Sequence, residues 1–202
     1  MKKIMFNDRY GLTQAVIEGR KTMTRRLAAS KRKYVKMRLW QPCLELEYGL
    51  YGCTEDEFWE YIEPHYVPGE VVAVAQSYRD VSAECFEPDA SILRAPELQR
   101  LAGWANKMFT KAELMPHRIR ITGIKCERLQ DISDEDCLKE GINASNSHEI
   151  GYGIPWVYEF AGSKMVYYTP REAFTALIDK VSGKGTWESN PWVFVYEFEL
   201  LG

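Results

Sequence analysis

The sequence predicts an α+β fold in a single domain, because its 202 residues mix strand-like and helix-like segments with no repeat, low-complexity tract or clear linker. Three segments carry that expectation. Residues 71–75 form a continuous apolar run after the turn signal Val67-Pro68-Gly69-Glu70, the pattern of a buried strand. Residues 117–124 alternate basic and apolar side chains, as a half-buried strand does. The terminal run places Trp192, Phe194, Tyr196, Phe198 and Leu200 on one face, opposite Val193, Val195, Glu197 and Glu199. A strand this aromatic belongs inside a sheet.

The remaining elements follow in chain order. Lys3-Ile4-Met5-Phe6 reads as a short entering strand, and Leu12, Ala15 and Val16 recur at helical spacing before Gly19 as a stop. The run Arg20-Lys21-Thr22-Met23-Thr24-Arg25-Arg26 then leaves the helix end. Extended, it would put Lys21, Met23 and Arg25 on one face and Thr22 and Thr24 on the other; a turn would bring Lys21 and Thr24 together, and spacing leaves both open. Cys43-Leu44-Glu45-Leu46-Glu47-Tyr48 reads as a strand, and Thr54 and Glu57 have the spacing of a capping box for a short helix over 55–59. Residues 81–111 are weakly periodic and broken by Pro88 and Pro96, which reads as a surface insertion with one short helix. Ser133 caps a helix that ends at Glu140-Gly141. Thr169-Pro170 opens another, whose apolar stripe is Phe174, Leu177, Ile178 and Val181, with Gly183 after it.

Composition narrows the class. A hydrophobic fraction of 46% against 27% charged residues is that of a soluble globular chain. No stretch reaches the roughly 20 apolar residues of a membrane span, and the amino terminus lacks a signal-peptide core, so cytoplasm is the expected location and a membrane is not an expected partner. Cys43, Cys53, Cys85, Cys126 and Cys137 form no CxxC pair, and His65, His117 and His148 do not group with them. Buried thiols are expected, with neither a disulfide framework nor a zinc site, and no metal or cofactor is expected. Residues 20–38 hold nine lysines and arginines and no acid, whereas residues 39–63 hold seven acids and no base. The two blocks could pair with one another, or the first could form a patch for phosphate-bearing ligands.

One constellation could carry chemistry: Lys21, Thr24 and Glu140. An amine whose pKa is lowered by burial or by neighbouring charge from Arg20, Arg25 and Arg26 can take a proton from a threonine hydroxyl, and a carboxylic acid can protonate a departing amine. The plainer reading makes Lys21 and Thr24 a loop end and Glu140 the polar last turn of its helix. Trp187, Trp192, Tyr167 and Tyr168 could stack on a base or simply pack the core. His148 reads as ordinary surface. Gly151-Tyr152-Gly153 and Gly183-Lys184-Gly185 lack the spacing of a phosphate-binding loop.

With these residues in place, the chain resembles the ASCH family. The resemblance rests on Gly19-Arg20-Lys21-Thr22-Met23-Thr24-Arg25-Arg26, similar to the family's G-x-K-T-x-T-x-R pattern, and on the Pro68-Gly69 turn with the strand after it. It continues through the strand-then-helix run from Arg118 to Gly141. The closing Gly183-Lys184-Gly185-Thr186-Trp187-Glu188-Ser189-Asn190-Pro191-Trp192 is similar to larger bacterial and phage members. The order covers most of the chain apart from segments near 27–60 and 80–106, which read as insertions in one domain spanning 1–202.

The resemblance implies a PUA-like curved sheet or small β-barrel with flanking helices, around a cleft for RNA or a modified nucleobase. It implies ligand contacts at Arg20, Arg25, Arg26, Gln76, Asn190 and Trp192. Gln76 stands where many members carry a glutamate after the central strand. One bacterial branch hydrolyses the acetyl amide of N4-acetylcytidine with a lysine base, a threonine nucleophile and a glutamate donor, whose counterparts here are Lys21, Thr24 and Glu140. The expected function is therefore binding of RNA or a modified nucleobase. The alternatives are an amidohydrolase acting on N4-acetylcytidine-like nucleosides and a non-catalytic interaction domain of bacterial or phage type.

Overall fold

Strands and short helices both form along the chain in the computed structural model, which describes residues 1–28, 37–43, 49–54, 59–81, 100–146 and 156–201. In order they are β1 (Lys3–Ile4), α1 (Leu12–Ile17), β2 (Met23–Leu27), β3 (Met37–Cys43), β4 (Gly49–Thr54), β5 (Trp59–Ile62), β6 (Val71–Val74), β7 (Arg118–Arg128), α2 (Asp134–Lys139), β8 (Asn143–Asn146), β9 (Trp156–Glu159), α3 (Pro170–Ser182), α4 (Thr186–Ser189) and β10 (Trp192–Leu201). The α+β class holds. The expected strand over 43–48 and helix over 55–59, most of the 81–111 insertion, His148 and the Gly151-Tyr152-Gly153 stretch lie largely or wholly outside the described residues.

The main sheet has five strands in the order β1-β6-β7-β10-β2. The aromatic strand β10 is paired on both sides, antiparallel to β7 and to β2, with Tyr196 opposite Ile124 on one side and Thr24 on the other. Its core-facing side chains explain the pairing: Phe194, Tyr196 and Phe198 are all buried, and an edge position would leave much of that area in water. The register with β7 shifts between Glu197 and Phe198. Gly123 sits at that shift, where a Cβ would stand 3.0 Å from Glu197 Oε2, a place where only a glycine passes without displacing a neighbour.

The expectation of a curled sheet or small barrel is overturned. The sheet is open, with β1 and β2 as its two outer strands and no pairing between them. The strand β1 is only two residues long and runs parallel to β6, so it offers too few ladder positions to accept β2. The chain between them turns on itself instead: the Gly11 N–H donates to the Asp8 carbonyl at 3.0 Å and the Leu12 N–H to the Asn7 carbonyl at 3.0 Å. Backbone groups satisfied locally cannot join a closing ladder. A separate three-stranded antiparallel sheet, β3-β4-β5, takes up much of the 27–60 segment and runs on to Ile62, and β8 pairs with β9.

The helices close over one face through α2 and α3. Ser133 Oγ accepts from the Asp136 N–H at 3.1 Å and Thr169 Oγ1 from the Glu172 N–H at 3.1 Å, the two caps that the sequence predicts. From α3, Phe174, Leu177 and Ile178 are buried in the same apolar cluster as Val72, Val74, Ile119, Ile121 and Val195. Val181, the fourth member of the expected stripe, is 38% exposed. Among the described residues no helix is long and apolar enough to cross a membrane.

Candidate functional site

The Lys21 site forms where the end of α1, the start of β2, the last residue after α2 and the inner face of α3 meet. Lys21 precedes β2 and is not part of it; its backbone N–H caps α1 by donating to the Ala15 carbonyl at 2.9 Å, and the Thr22 N–H donates to the Lys139 carbonyl at 3.0 Å. The chain is thus tied to α1 and α2 before it enters the sheet. That geometry settles what spacing left open: Lys21, Thr24 and Glu140 line one pocket of about 230 Å³.

Lys21 is only 2% exposed. Its ammonium donates to the Met23 carbonyl at 2.8 Å, the Glu140 carbonyl at 2.7 Å and Glu140 Oε2 at 2.6 Å, a partner for each of its protons. Burial pushes its pKa below the ordinary 10.5; the Glu140 carboxylate opposes that shift, while Arg26 and Arg25 reinforce it. The ring of Phe6 lies 5.8 Å from the ammonium. Gly141, at φ 101°, lets the chain turn after α2 close beneath the lysine, where a Cβ would stand 3.6 Å from Lys21 Cδ.

Arg25 binds Glu140 together with two carboxylates that the sequence reading left out. Its guanidinium donates to Glu127 Oε1 at 2.6 Å, Asp136 Oδ2 at 2.8 Å and Glu140 Oε1 at 3.2 Å. Burial by itself would lower the arginine's pKa, but Glu140 and Glu127 outweigh it and the net shift is upward. Burial raises the Asp136 carboxyl, and the Arg25 hydrogen bond and charge more than reverse this, so Asp136 sits below its ordinary 3.8. Lys125 joins the group at 2.9 Å from Glu127 Oε2. Glu127, Asp136 and Glu140 therefore neutralise Lys21, Arg25 and Lys125. The basic run after Gly19 does not present these charges as an open patch.

Thr24 is 5% exposed. It lines the pocket, and its hydroxyl makes no hydrogen bond among the described residues. Arg26 stands at the same pocket, donating to the Met5 carbonyl at 2.5 Å with its guanidinium 5.7 Å from the Phe6 ring. Phe174, Leu177 and Ile178 supply the apolar wall. These three are legible in the sequence as a helix stripe, but periodicity assigns a stripe to the core and cannot tell which part of the core is hollow.

The other expected contacts do not gather here. Arg20 points to the surface and pairs with Glu18 at 2.6 Å and Asn143 Oδ1 at 2.8 Å. Asn190 ends α4 in the left-handed region, φ 42°, and its Oδ1 accepts from the Gln130 N–H at 2.9 Å. Trp192 packs against the Arg128 guanidinium at 4.6 Å and Trp187 against Arg171 at 5.0 Å. Neither indole lines the Lys21 pocket, and Tyr167 and Tyr168 do not line it either. Gln76 lines a second pocket, of about 580 Å³. The residues sequence reasoning missed are Phe6, Glu127 and Asp136; the last was legible only as the third position of the helix that Ser133 caps.

Comparisons of the chain with models of protein families, with curated proteins and with solved structures find no match.

Proposed function

We propose that this protein binds a small neutral nucleobase or nucleoside in the Lys21 pocket, rather than RNA along its phosphate backbone. One observation carries the reading: of the cations at the pocket, Lys21 and Arg25 are already matched by the carboxylates of Glu127, Asp136 and Glu140, while Arg26 is held by the Met5 carbonyl. A phosphate chain gains affinity when unpaired lysines and arginines neutralise its phosphates and set its condensed counterions free, and cations held in buried pairs offer little of that. A volume of about 230 Å³ lies below the span usual for drug-sized ligands, which fits one base or a compact nucleoside. Apolar side chains of α3 face the ring, and Thr24 and Arg26 supply polar contacts. The similarity of Gly19 to Arg26 to the ASCH pattern points to the same ligand class.

A second reading, hydrolysis of an N4-acyl cytosine, is favoured by the 2.6 Å bond between Lys21 Nζ and Glu140 Oε2. Transfer of one proton across that bond turns the ion pair into a neutral amine and a carboxylic acid. Those are the two forms the chemistry needs. Thr24 Oγ would attack the amide carbonyl as its proton passes to Lys21. Glu140 would protonate the departing exocyclic nitrogen, and water would then release the acid from the threonine ester.

One experiment addresses both. The protein is titrated calorimetrically with cytidine, N4-acetylcytidine and a single-stranded RNA at two salt concentrations, and the N4-acetylcytidine mixture is analysed by chromatography. Salt-insensitive nucleoside binding is expected. Steeply salt-dependent RNA binding without nucleoside binding refutes the first reading, and intact N4-acetylcytidine after prolonged incubation refutes the second.

A further inference from the structure

The second pocket, about 580 Å³, shares no lining residue with the Lys21 pocket, although adjacent residues of the 6–13 segment serve both. Gln76 forms part of its wall, two positions beyond the end of β6. The residue is 8% exposed, and its backbone N–H is held by Met115 Sδ at 3.3 Å. Its side-chain oxygen, Oε1, is buried and has no hydrogen-bond partner among the described residues. Such an oxygen destabilises a fold.

The neighbouring polar groups do not share this condition. Ser77 Oγ donates to Asp80 Oδ2. Thr13 Oγ1 donates to Asp8 Oδ1 at 2.5 Å, and Lys107 Nζ reaches the same carboxylate at 2.7 Å while also donating to the Phe6 carbonyl. The charges cancel in place: Asp8 against Lys107, and Asp80 against Arg79 at 3.5 Å. The wall is tied together and neutral, and one carboxamide on it is incompletely bonded.

We infer that this pocket is a separate binding site for a small neutral ligand carrying an N–H donor beside an acceptor, recognised by the Gln76 carboxamide. A carboxamide presents a donor beside an acceptor and matches the complementary edge of an amide or of a nucleobase with two parallel hydrogen bonds. The terminal torsion of glutamine is broad and roughly two-fold, so rotation about it can present the carboxamide to the pocket that the residue lines. The volume is within the range of small-molecule sites. A charged ligand would find no uncompensated partner. The inference is independent of the reading given for the Lys21 pocket.

The test uses the full chain, isotopically labelled, titrated with nicotinamide and with methyl nicotinate, which keeps the ring but lacks the N–H. Nicotinamide is expected to shift the resonances of Gln76 and Thr13 and not those of Thr24, and the ester to bind about tenfold more weakly. Gln76→Leu is expected to weaken nicotinamide binding about tenfold while melting at or above the wild-type temperature, since it removes an unpaired buried oxygen. Absence of nicotinamide binding at millimolar concentration overturns the proposal. So do shifts centred on Thr24, equal affinity for amide and ester, or unchanged binding by Gln76→Leu. A Gln76→Leu protein that melts below wild type also overturns it, by showing that the amide serves the fold.

Discussion

Replacing Glu140 by glutamine tests the ion pair on which the Lys21 site depends. The change preserves shape and removes one negative charge. Arg25 would keep Glu127 at 2.6 Å and Asp136 at 2.8 Å, so the loss falls on Lys21, left 2% exposed with the carbonyls of Met23 and residue 140. Stranding one member of a buried pair costs about 3–5 kcal/mol. For a chain of this size that corresponds to a melting temperature lower by about 6–20 °C. Lys21→Met should cost less, about 1–3 kcal/mol, because Glu140 retains Arg25 at 3.2 Å. The double variant should fall short of the sum by about 1–3 kcal/mol, since it strands neither charge. Urea unfolding at pH 7 with unchanged m-values measures all three.

The pH dependence follows from the lysine's lowered pKa. In the folded state Lys21 gives up its proton below the 10.5 of the ordinary side chain, so the unfolded chain binds more protons in that window. Stability gained from this group therefore rises with pH through its folded pKa toward 10.5. The Glu140→Gln penalty should shrink as pH rises toward the wild-type folded pKa of Lys21, because without the carboxylate the stranded ammonium loses its proton at lower pH. A Glu140→Gln protein within about 0.5 kcal/mol of wild type, or single effects that add fully in the double variant, would refute the buried coupling.

Two other outcomes are expected. Asp136 is held below its ordinary 3.8 chiefly by Arg25 acting against burial; the stability it contributes is present above 3.8 and is lost as pH falls toward its folded pKa, so acid unfolding followed by circular dichroism should begin below about pH 4 and shift upward in Arg25→Met. Gly141→Ala should cost about 1–3 kcal/mol, because the position has φ 101° and a Cβ there would meet Leu12 Cδ2 at 3.3 Å; an unchanged urea midpoint would show that the turn beneath Lys21 relaxes freely.

Local signals account for most of what the sequence established. Periods of two and of 3.6, a cap three residues before a backbone N–H, and glycine after a helix are short-range physics, and they located β6, β7, β10, α1, α2 and α3. Lys21, Thr24 and Glu140, nominated by the chemistry of their side chains and by the resemblance to the ASCH pattern rather than by spacing, line one pocket. Three matters were decided only by the tertiary structure. The sheet is open because β1 is two residues long and the segment after it bonds to itself, a balance of pairings that no single strand records. The basic run carries no open charge at Lys21 and Arg25 because Glu127, Asp136 and Glu140, more than 100 residues away, converge on them. Gln76 is set apart at another pocket with an oxygen that has no partner among the described residues. Charge, burial and hydrogen-bond satisfaction depend on which distant groups meet, and folding, not spacing, brings them together.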